Sequence, residues 1–548
     1  MEILHIEDLS FRYPKAERNA LSSVSFSVKR GEFIVVCGES GCGKTTLLRL
    51  LKPEISPAGD LSGSVKYLGE DSLEIGFVMQ DPDSQIVTDT VWHELAFGLE
   101  NLGLPCDVIR RRVGETACYF GIEELFRRKT DGLSGGQKQL LNLAAVTAMQ
   151  PKVLILDEPT GQLDPISASE FIATLSKLNR ELGMTVILAE HRLDEVFPIA
   201  DRVLVMEDGR AVLFDLPEKI GGELMKLGKD HPMLEALPST VRICGSLGYE
   251  EKIPITVREG RDFIENHFGG KKAVLPEKEY IPGESIAVEL KNVFFRYERD
   301  LPDVLRGTSA KIYEGEIFAI LGGNGVGKTT MLNVIGGLLK PYRGKVLVAE
   351  RPVGAYKGNS LYRQNLAILP QNPRALFVRD TVGADLAEVP EARGVKKSER
   401  EALVVSVAKR LKILHLLKKN PFDLSGGEQQ KCALAKVLLS EPRIVLLDEP
   451  TKGIDASAKR GLSEILSELK SAGVTVIIVT HDTEFAAENA DRCALFFDGE
   501  LIAEDIPQRF FGGNTFYTTA ANRIVREVCP NAVTVSQAVG SLANGDTK

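Results

Sequence analysis

The sequence predicts an α/β fold written twice in tandem. Three observations predict it. A series of motifs recurs in order: SFRYP at 10–14 returns as FFRYE at 294–298, and GESGCGKTT at 38–46 as GGNGVGKTT at 322–330. LSGGQ at 133–137 returns as LSGGE at 424–428, and VLILDEPTGQLD at 153–164 as IVLLDEPTKGID at 444–455; such ordered self-similarity marks repeated units. Short apolar runs without polar alternation read as strands buried on both faces of a parallel sheet. In each half one of these runs feeds a glycine-rich loop and then a helical stretch, the strand–loop–helix arrangement of a phosphate cradle. Tyr13 and Tyr297 lie 284 residues apart, as do Lys44 and Lys328, whereas Ser134 and Ser425 lie 291 apart, so the second half carries a small net insertion.

At roughly 150 residues per domain, 548 residues allow three or four domains. A net charge of -9 removes any general electrostatic drive toward nucleic acid or anionic lipid. The eight cysteines, at 37, 42, 106, 118, 244, 432, 493 and 529, form no C-x-x-C pair and no zinc spacing, and read as free thiols of a reducing cytoplasm. The opening MEILHIEDLSFRYP alternates like a strand and lacks the layout of a signal peptide. No apolar run reaches membrane-spanning length, so action at a membrane is expected to need another chain.

Phe33 to Cys37 is the first buried strand. It leads into Gly38, Glu39, Ser40, Gly41, Cys42, Gly43, Lys44, Thr45 and Thr46, and then the helical LLRLL. Glycines here let backbone N–H groups approach phosphates, Lys44 supplies a cation to the outer ones, and the Thr45 hydroxyl can ligate Mg²⁺. Gly322, Gly323, Asn324, Gly325, Val326, Gly327, Lys328, Thr329 and Thr330 repeat the arrangement. Tyr13 and Tyr297 precede the loops, where stacking on a base and packing in the core are both open.

Ser134, Gly135 and Gly136, like Ser425, Gly426 and Gly427, begin helices with capping boxes closed by Gln137 and Glu428. Bare glycine N–H groups at a positive helix end would make a second anion site in each half, the alternative being an ordinary well-capped helix. The strands VLILD and IVLLD end in acids: Asp157 and Asp448 would complete a Mg²⁺ shell, and Glu158 and Glu449 are placed to polarise an attacking water. MTVILAEH and VTVIIVTH finish on His191 and His481, whose matched recurrence supports a role near a terminal phosphate rather than a plain surface position.

Phosphate loop, glutamine segment, LSGG, acidic strand and strand-end histidine, in this order, resemble the ATP-binding cassette (ABC) family over nearly all of both halves. The resemblance implies two tandem P-loop NTPase (RecA-like) cassettes, each with an inserted helical subdomain bearing LSGG. It implies ATP and Mg²⁺ as ligands, ATP hydrolysis as the activity, and intramolecular pairing of the cassettes head to tail around two ATP molecules. One site would pair Lys44, Thr45, Gln80, Asp157, Glu158 and His191 with Ser425 and Gly427. The other would pair Lys328, Thr329, Gln371, Asp448, Glu449 and His481 with Ser134 and Gly136. Gln80 and Gln371 would face both metal and attacking water, and Asp164 and Asp455 match the family's contact between sites. Neither half has lost its glutamate or altered LSGG, so two hydrolytically competent sites are expected.

QDPDSQIVTDTVWHELAFGLEN, starting at Gln80, is similar to the Q-x-P-x-x-Q…T-V…E-x-x-F-G-x-E-N pattern of energy-coupling-factor (ECF) importers of vitamins and of cobalt or nickel. NTFYTTAANRIVREV at 514–528 resembles a tail common there. The implied partners are a transmembrane coupling protein and a separate membrane substrate-binding subunit, with no nucleic acid and a peripheral place on the cytoplasmic face of the cell membrane. The second copy keeps Gln371, Asn372, Pro373, Thr381 and Val382 but sets Arg374 and Arg379 where the first has acid or Ser. Asp81, Asp83 and Glu94 are therefore expected to meet a basic coupling helix, and the second cassette a different one. A sugar importer and a soluble clamp on a macromolecule stay open as alternatives.

The expected organisation is a first cassette over 1–214 with a carboxyl-terminal appendage over 215–267, a linker over 268–285, a second cassette over 286–504 and its appendage over 505–548. Alkylation of Cys42, which Val326 replaces in the second loop, is expected to obstruct phosphate binding in one site only.

Overall fold

The parallel order of the buried strands decides where the motifs meet. The structure, a computed structural model, describes residues 1–69, 74–228, 231–249, 252–269, 272–277, 279–363 and 365–543. Residues 270, 271 and 278 of the expected linker, 229, 230, 250 and 251 of the first appendage and 544–548 of the second lie outside these. The chain divides into two compact units, Met1–Thr256 and Val257–Lys548.

In the first unit the strands Ile75–Val78, Val153–Asp157, Thr185–Ala189, Phe33–Cys37, Arg202–Glu207 and Arg210–Asp215 lie side by side in that order. All neighbours are parallel except the last pair. Every residue of Phe33–Cys37, Val153–Asp157 and Thr185–Ala189 is buried, which explains their unbroken apolar sequence. Because these strands run the same way, their carboxyl ends bring the glycine loop, the acidic pair and the histidine to one edge of the sheet, the edge where open α/β folds bind ligands. An antiparallel sheet, with Glu2–Arg12 between Leu21–Lys29 and Asp60–Tyr67, ends its central strand just before Tyr13.

The second unit repeats this plan. Leu366–Leu369, Ile444–Asp448, Thr475–Val479, Ile317–Leu321, Arg492–Phe497 and Glu500–Asp505 take the same order, and Ile286–Phe295 lies between Leu305–Tyr313 and Arg343–Val348. Each unit carries a helical insertion whose last member starts at LSGG: Val91–Asn101, Cys106–Phe120 and Gly135–Ala148 in the first, Val382–Ala392, Lys397–Arg410 and Gly426–Leu438 in the second.

The appendages are helical. The first contains Pro217–Leu227 and Ser239–Ser246, the second Pro507–Gly513, Ala520–Val525 and Val535–Ala543. The division between units falls inside the expected first appendage, because the helix Val257–Phe268 packs on Ala520–Val525. Its Arg261 side chain donates to the Arg523 carbonyl at 3.1 Å. The chain that follows is also held on the second appendage: Ala273 N–H donates to the Val528 carbonyl at 2.9 Å, and Asn531 exchanges two hydrogen bonds with the Leu275 backbone. The stretch whose proline and glycine content suggests a linker is thus hydrogen-bonded along the second appendage at Ala273 and Leu275.

Candidate functional site

Each glycine loop is a turn that side chains would block. A Cβ on Gly38 would lie 2.3 Å from the Met206 carbonyl oxygen, and one on Gly43, at φ 101°, 2.6 Å from that of Ala20. The loop therefore needs its glycines for close backbone approach as well as for exposing N–H groups. Lys44 is buried and donates to the carbonyls of Gly38 at 2.9 Å and Glu39 at 3.2 Å. Lys328 does the same to Gly322 and Gly323 at 2.9 and 2.8 Å.

The acidic strands meet these loops. Thr45 Oγ1 donates to Asp157 Oδ1 at 3.1 Å, and Thr329 Oγ1 to Asp448 Oδ1 at the same distance. Burial pushes both aspartates up to about 6, with the neighbouring glutamate adding to the rise. A hydroxyl and a carboxylate are hard oxygen donors, the kind Mg²⁺ takes together with waters and phosphate oxygens, so these pairs fit the ion.

Glu158 and Glu449 follow their strands at φ 44° and 49°, left-handed backbone that is costly for a non-glycine residue and is repeated in both units. Their amides donate to the carbonyls of Ala189 and Val479 at 3.0 and 2.8 Å, tying each to the strand that ends in histidine. His191 Nε2 reaches Glu158 Oε1 at 2.8 Å, and His481 Nδ1 reaches Glu449 Oε2 at 2.7 Å. Burial raises the Glu158 pKa, but His191 and Lys44 more than offset it and hold the carboxyl below its usual value. Gln80 Nε2 also donates to Glu158 Oε2 at 2.9 Å. Gln371 occupies the equivalent exposed position.

Tyr13 and Tyr297 are not core residues. They are 37% and 58% exposed, stand edge-on to Phe11 and Phe295, and fasten to Thr46 and Thr330 through hydroxyl contacts of 3.1 and 3.0 Å. Ser134 and Ser425 close the expected capping boxes with Gln137 and Glu428. Gly136 lies where a Cβ would come 3.1 Å from Ser167 Oγ, and one on Gly427 would meet Ala458 and Ile454 at 3.9 Å. Asp164 and Asp455 cap the helices Pro165–Leu182 and Ala456–Ser471.

Two expectations change. Cys42 does not face the cradle: it is buried, belongs to the core cluster with Leu47 and Met206, and its burial pushes the thiol pKa up. Val326 packs against the equivalent core, so alkylation is not a direct probe of phosphate binding. Glu94 does not present its charge outward either. It is buried, and its Oε2 accepts Val87 N–H at 3.1 Å, Thr88 N–H at 2.8 Å and the Thr88 hydroxyl at 2.9 Å. Asp385 replaces it in the second unit, buried beside Lys436 at 2.7 Å. Asp83 pairs with Lys138 at 2.5 Å, and the matching Arg374 bonds Gln429 at 3.2 Å, so the charge exchange between the copies is answered inside each unit. Sequence reasoning also missed Glu190, buried and accepting the Thr160 N–H at 3.0 Å and its hydroxyl at 2.5 Å. Its adjacency to His191 was the only signal.

Fold and loops together define a tandem P-loop nucleoside-triphosphatase. The ABC transporter family model matches residues 21–161 and 305–452. A "Putative ABC transporter ATP-binding protein" of Bacillus anthracis is 40% identical over 543 residues, with 96% of each chain covered. The "Putative HMP/thiamine import ATP-binding protein YkoD" of Bacillus subtilis is 33% identical over 536 residues, covering 94% of this chain and 93% of that one. A solved structure of cbiO1 from Clostridium perfringens, described as part of the ABC transporter complex cbiONQ, is 31% identical, covers 42% of this chain and 91% of that one, and has a TM-score of 0.38. The chain belongs to the ABC transporter family, with two cassettes in one polypeptide. It is an ATPase that binds ATP with Mg²⁺, and ATP-binding proteins of this family work with transmembrane subunits. Among the described residues no helix is long and apolar enough to cross a membrane.

Proposed function

We propose that this chain is the ATP-hydrolysing subunit of an ECF-type importer, energising uptake of a small solute of the vitamin or transition-metal type. It would sit on the cytoplasmic face of the membrane under a transmembrane coupling protein and a separate substrate-binding subunit. The importing relative from Bacillus subtilis supports the transport class. The observation that carries the reading is the surface after Gln80. With Glu94 turned inward, this segment exposes Val87 (67%) and Trp92 (44%), apolar groups rimmed by acids such as Asp83. A surface of this kind suits a partner helix better than solvent. In the second unit Val378 matches Val87, whereas Gly383 stands in place of Trp92, so the two cassettes would receive different helices.

In each site the lysine and glycine amides would bind the phosphates, while Thr45 with Asp157, and Thr329 with Asp448, would hold Mg²⁺, which neutralises developing phosphate charge. Glu158 and Glu449, oriented by their histidines, would accept a proton from the attacking water, and Gln80 would orient that water beside Glu158. Tyr13 and Tyr297 would offer a ring to the base. Ser134 with Gly136 and Ser425 with Gly427 would serve the opposite cassette's nucleotide.

The test is purification from native membranes of the parent and of Trp92→Ala. The expected result is two hydrophobic proteins bound to the parent and loss of the coupling protein from the variant, with ATPase activity retained. Ribosomes or DNA in place of membrane proteins would overturn the proposal.

A further inference from the structure

Around their histidines the two units share a backbone arrangement but differ in a buried side chain. Glu190, just before His191, donates its N–H to the Val36 carbonyl at 3.2 Å, and Thr480, just before His481, donates to that of Ile320 at 3.1 Å. Both residues are buried. The strand ends are held alike, so what distinguishes them is the reach of the side chain.

In the first unit the Glu190 carboxylate joins two segments of the site. Its Oε1 accepts the N–H and the hydroxyl of Thr160, two residues past Glu158, at 3.0 and 2.5 Å. Its Oε2 accepts the N–H of His191 at 3.0 Å. In the second unit Thr480 is too short for this span, and its hydroxyl accepts the N–H of Asp482 at 3.0 Å. The His481 N–H donates instead to Oε2 of Glu449 at 3.3 Å.

This exchange accounts for which ring nitrogen meets the glutamate. Nδ1 lies on the side of the ring next to the histidine's own backbone, and Nε2 at its far tip. An oxygen that accepts a histidine's own N–H therefore falls within reach of Nδ1, and Glu449 Oε2 is 2.7 Å from Nδ1 of His481. Where Glu190 takes the His191 N–H, Glu158 is met by the ring tip, with Nε2 at 2.8 Å.

We propose that Glu190 is a positioning residue of the first nucleotide site: by holding the His191 N–H it makes His191 address Glu158 through Nε2, whereas His481 addresses Glu449 through Nδ1. The proposal deepens the proposed function and rests on its reading of the two glycine loops as ATP sites. In a neutral histidine the nitrogen that faces a carboxylate carries the proton, so the two histidines would be opposite tautomers. A terminal phosphate approached by the ring tip would compete with Glu158 for His191, but not with Glu449 for His481. The two sites would then enter the cycle in different states while keeping the same chemistry.

The full-length chain without nucleotide, isotope-labelled in its histidine rings, tests this by NMR at about pH 8.5, where imidazole is neutral and its nitrogen shifts report the tautomer. The chain has 7 histidines, and His191→Gln and His481→Gln assign the two signals. The parent is expected to show Nε2–H at His191 and Nδ1–H at His481. Glu190→Thr, which installs the second unit's residue, is expected to convert His191 to Nδ1–H and leave His481 as it is. It is also expected to lower kcat by about half with the KM for ATP unchanged, because Glu190 orients a histidine rather than binding nucleotide. The same tautomer at both histidines of the parent would overturn the proposal whether or not the variant folds. An unchanged His191 tautomer or an unchanged kcat in folded Glu190→Thr would overturn it as well. Absence of ATP turnover from the parent would remove the nucleotide sites themselves and the proposal with them, a failure distinct from matching tautomers.

Discussion

Asp157 shows how the site sets function against stability. Its carboxyl is 3% exposed and its pKa rises from 3.8 to about 6, chiefly through burial. The sign follows from linkage: between these values the folded chain holds a proton that the unfolded chain releases, so stability falls as pH climbs toward 6 and stays lower above it. The shift corresponds to ~3 kcal/mol before a cation compensates it. Asp157→Asn is therefore expected to raise the melting temperature by several degrees at pH 7.5 without nucleotide, with little gain near pH 4.5, where the native carboxyl is also neutral. The same variant should lose the thermal stabilisation that Mg²⁺ with ATP gives the parent. Melting curves at the two pH values check this, and a variant less stable than the parent at pH 7.5 would contradict it. The pair Asp157 and Glu158 was legible in the sequence because a buried strand ending in two acids is unusual. The opposite directions of their pKa shifts were not, since these come from His191, Lys44 and burial, which only the folded chain brings together.

The strands and helices were legible wherever an unbroken apolar run or a capping motif marked them: FIVVC, VLILD and TVILA are buried throughout, and the LSGG helices have their capping boxes. Segments whose direction depends on partners far along the chain were not. Glu94 reads as one acid in an acidic stretch, yet it folds back to close the loop at Val87 and Thr88. The helix Val257–Phe268 reads as the end of the first appendage, yet it is bound to Ala520–Val525, more than 250 residues later. The loop at Glu94 gives a direct test. Glu94→Ala would strand three donors around one buried oxygen and is expected to destabilise the first unit by about 2 kcal/mol, with Glu94→Gln intermediate. Thermal melts, with amide exchange at Val87 and Thr88, check the effect; normal protection there in Glu94→Ala would show that the carboxylate does not organise the segment.

Repetition was the strongest signal in the whole chain, and the structure repeats it in detail. Thr45 with Asp157 recurs as Thr329 with Asp448 at the same distance, the left-handed glutamates recur, and the histidine–glutamate pair recurs through a different ring nitrogen, Nε2 of His191 and Nδ1 of His481. The copies diverge around this shared chemistry: the second has Gly383 where the first has Trp92, and Arg374 with Gln429 where the first has Asp83 with Lys138. Function would then divide in the same way, with hydrolysis duplicated and partner contacts specialised. The most direct measurement is steady-state ATP hydrolysis by the purified full-length chain carrying Glu158→Gln, Glu449→Gln or both. Each single change is predicted to cut turnover by half or more and the pair to abolish it; full activity surviving either single change would contradict two hydrolytically competent sites.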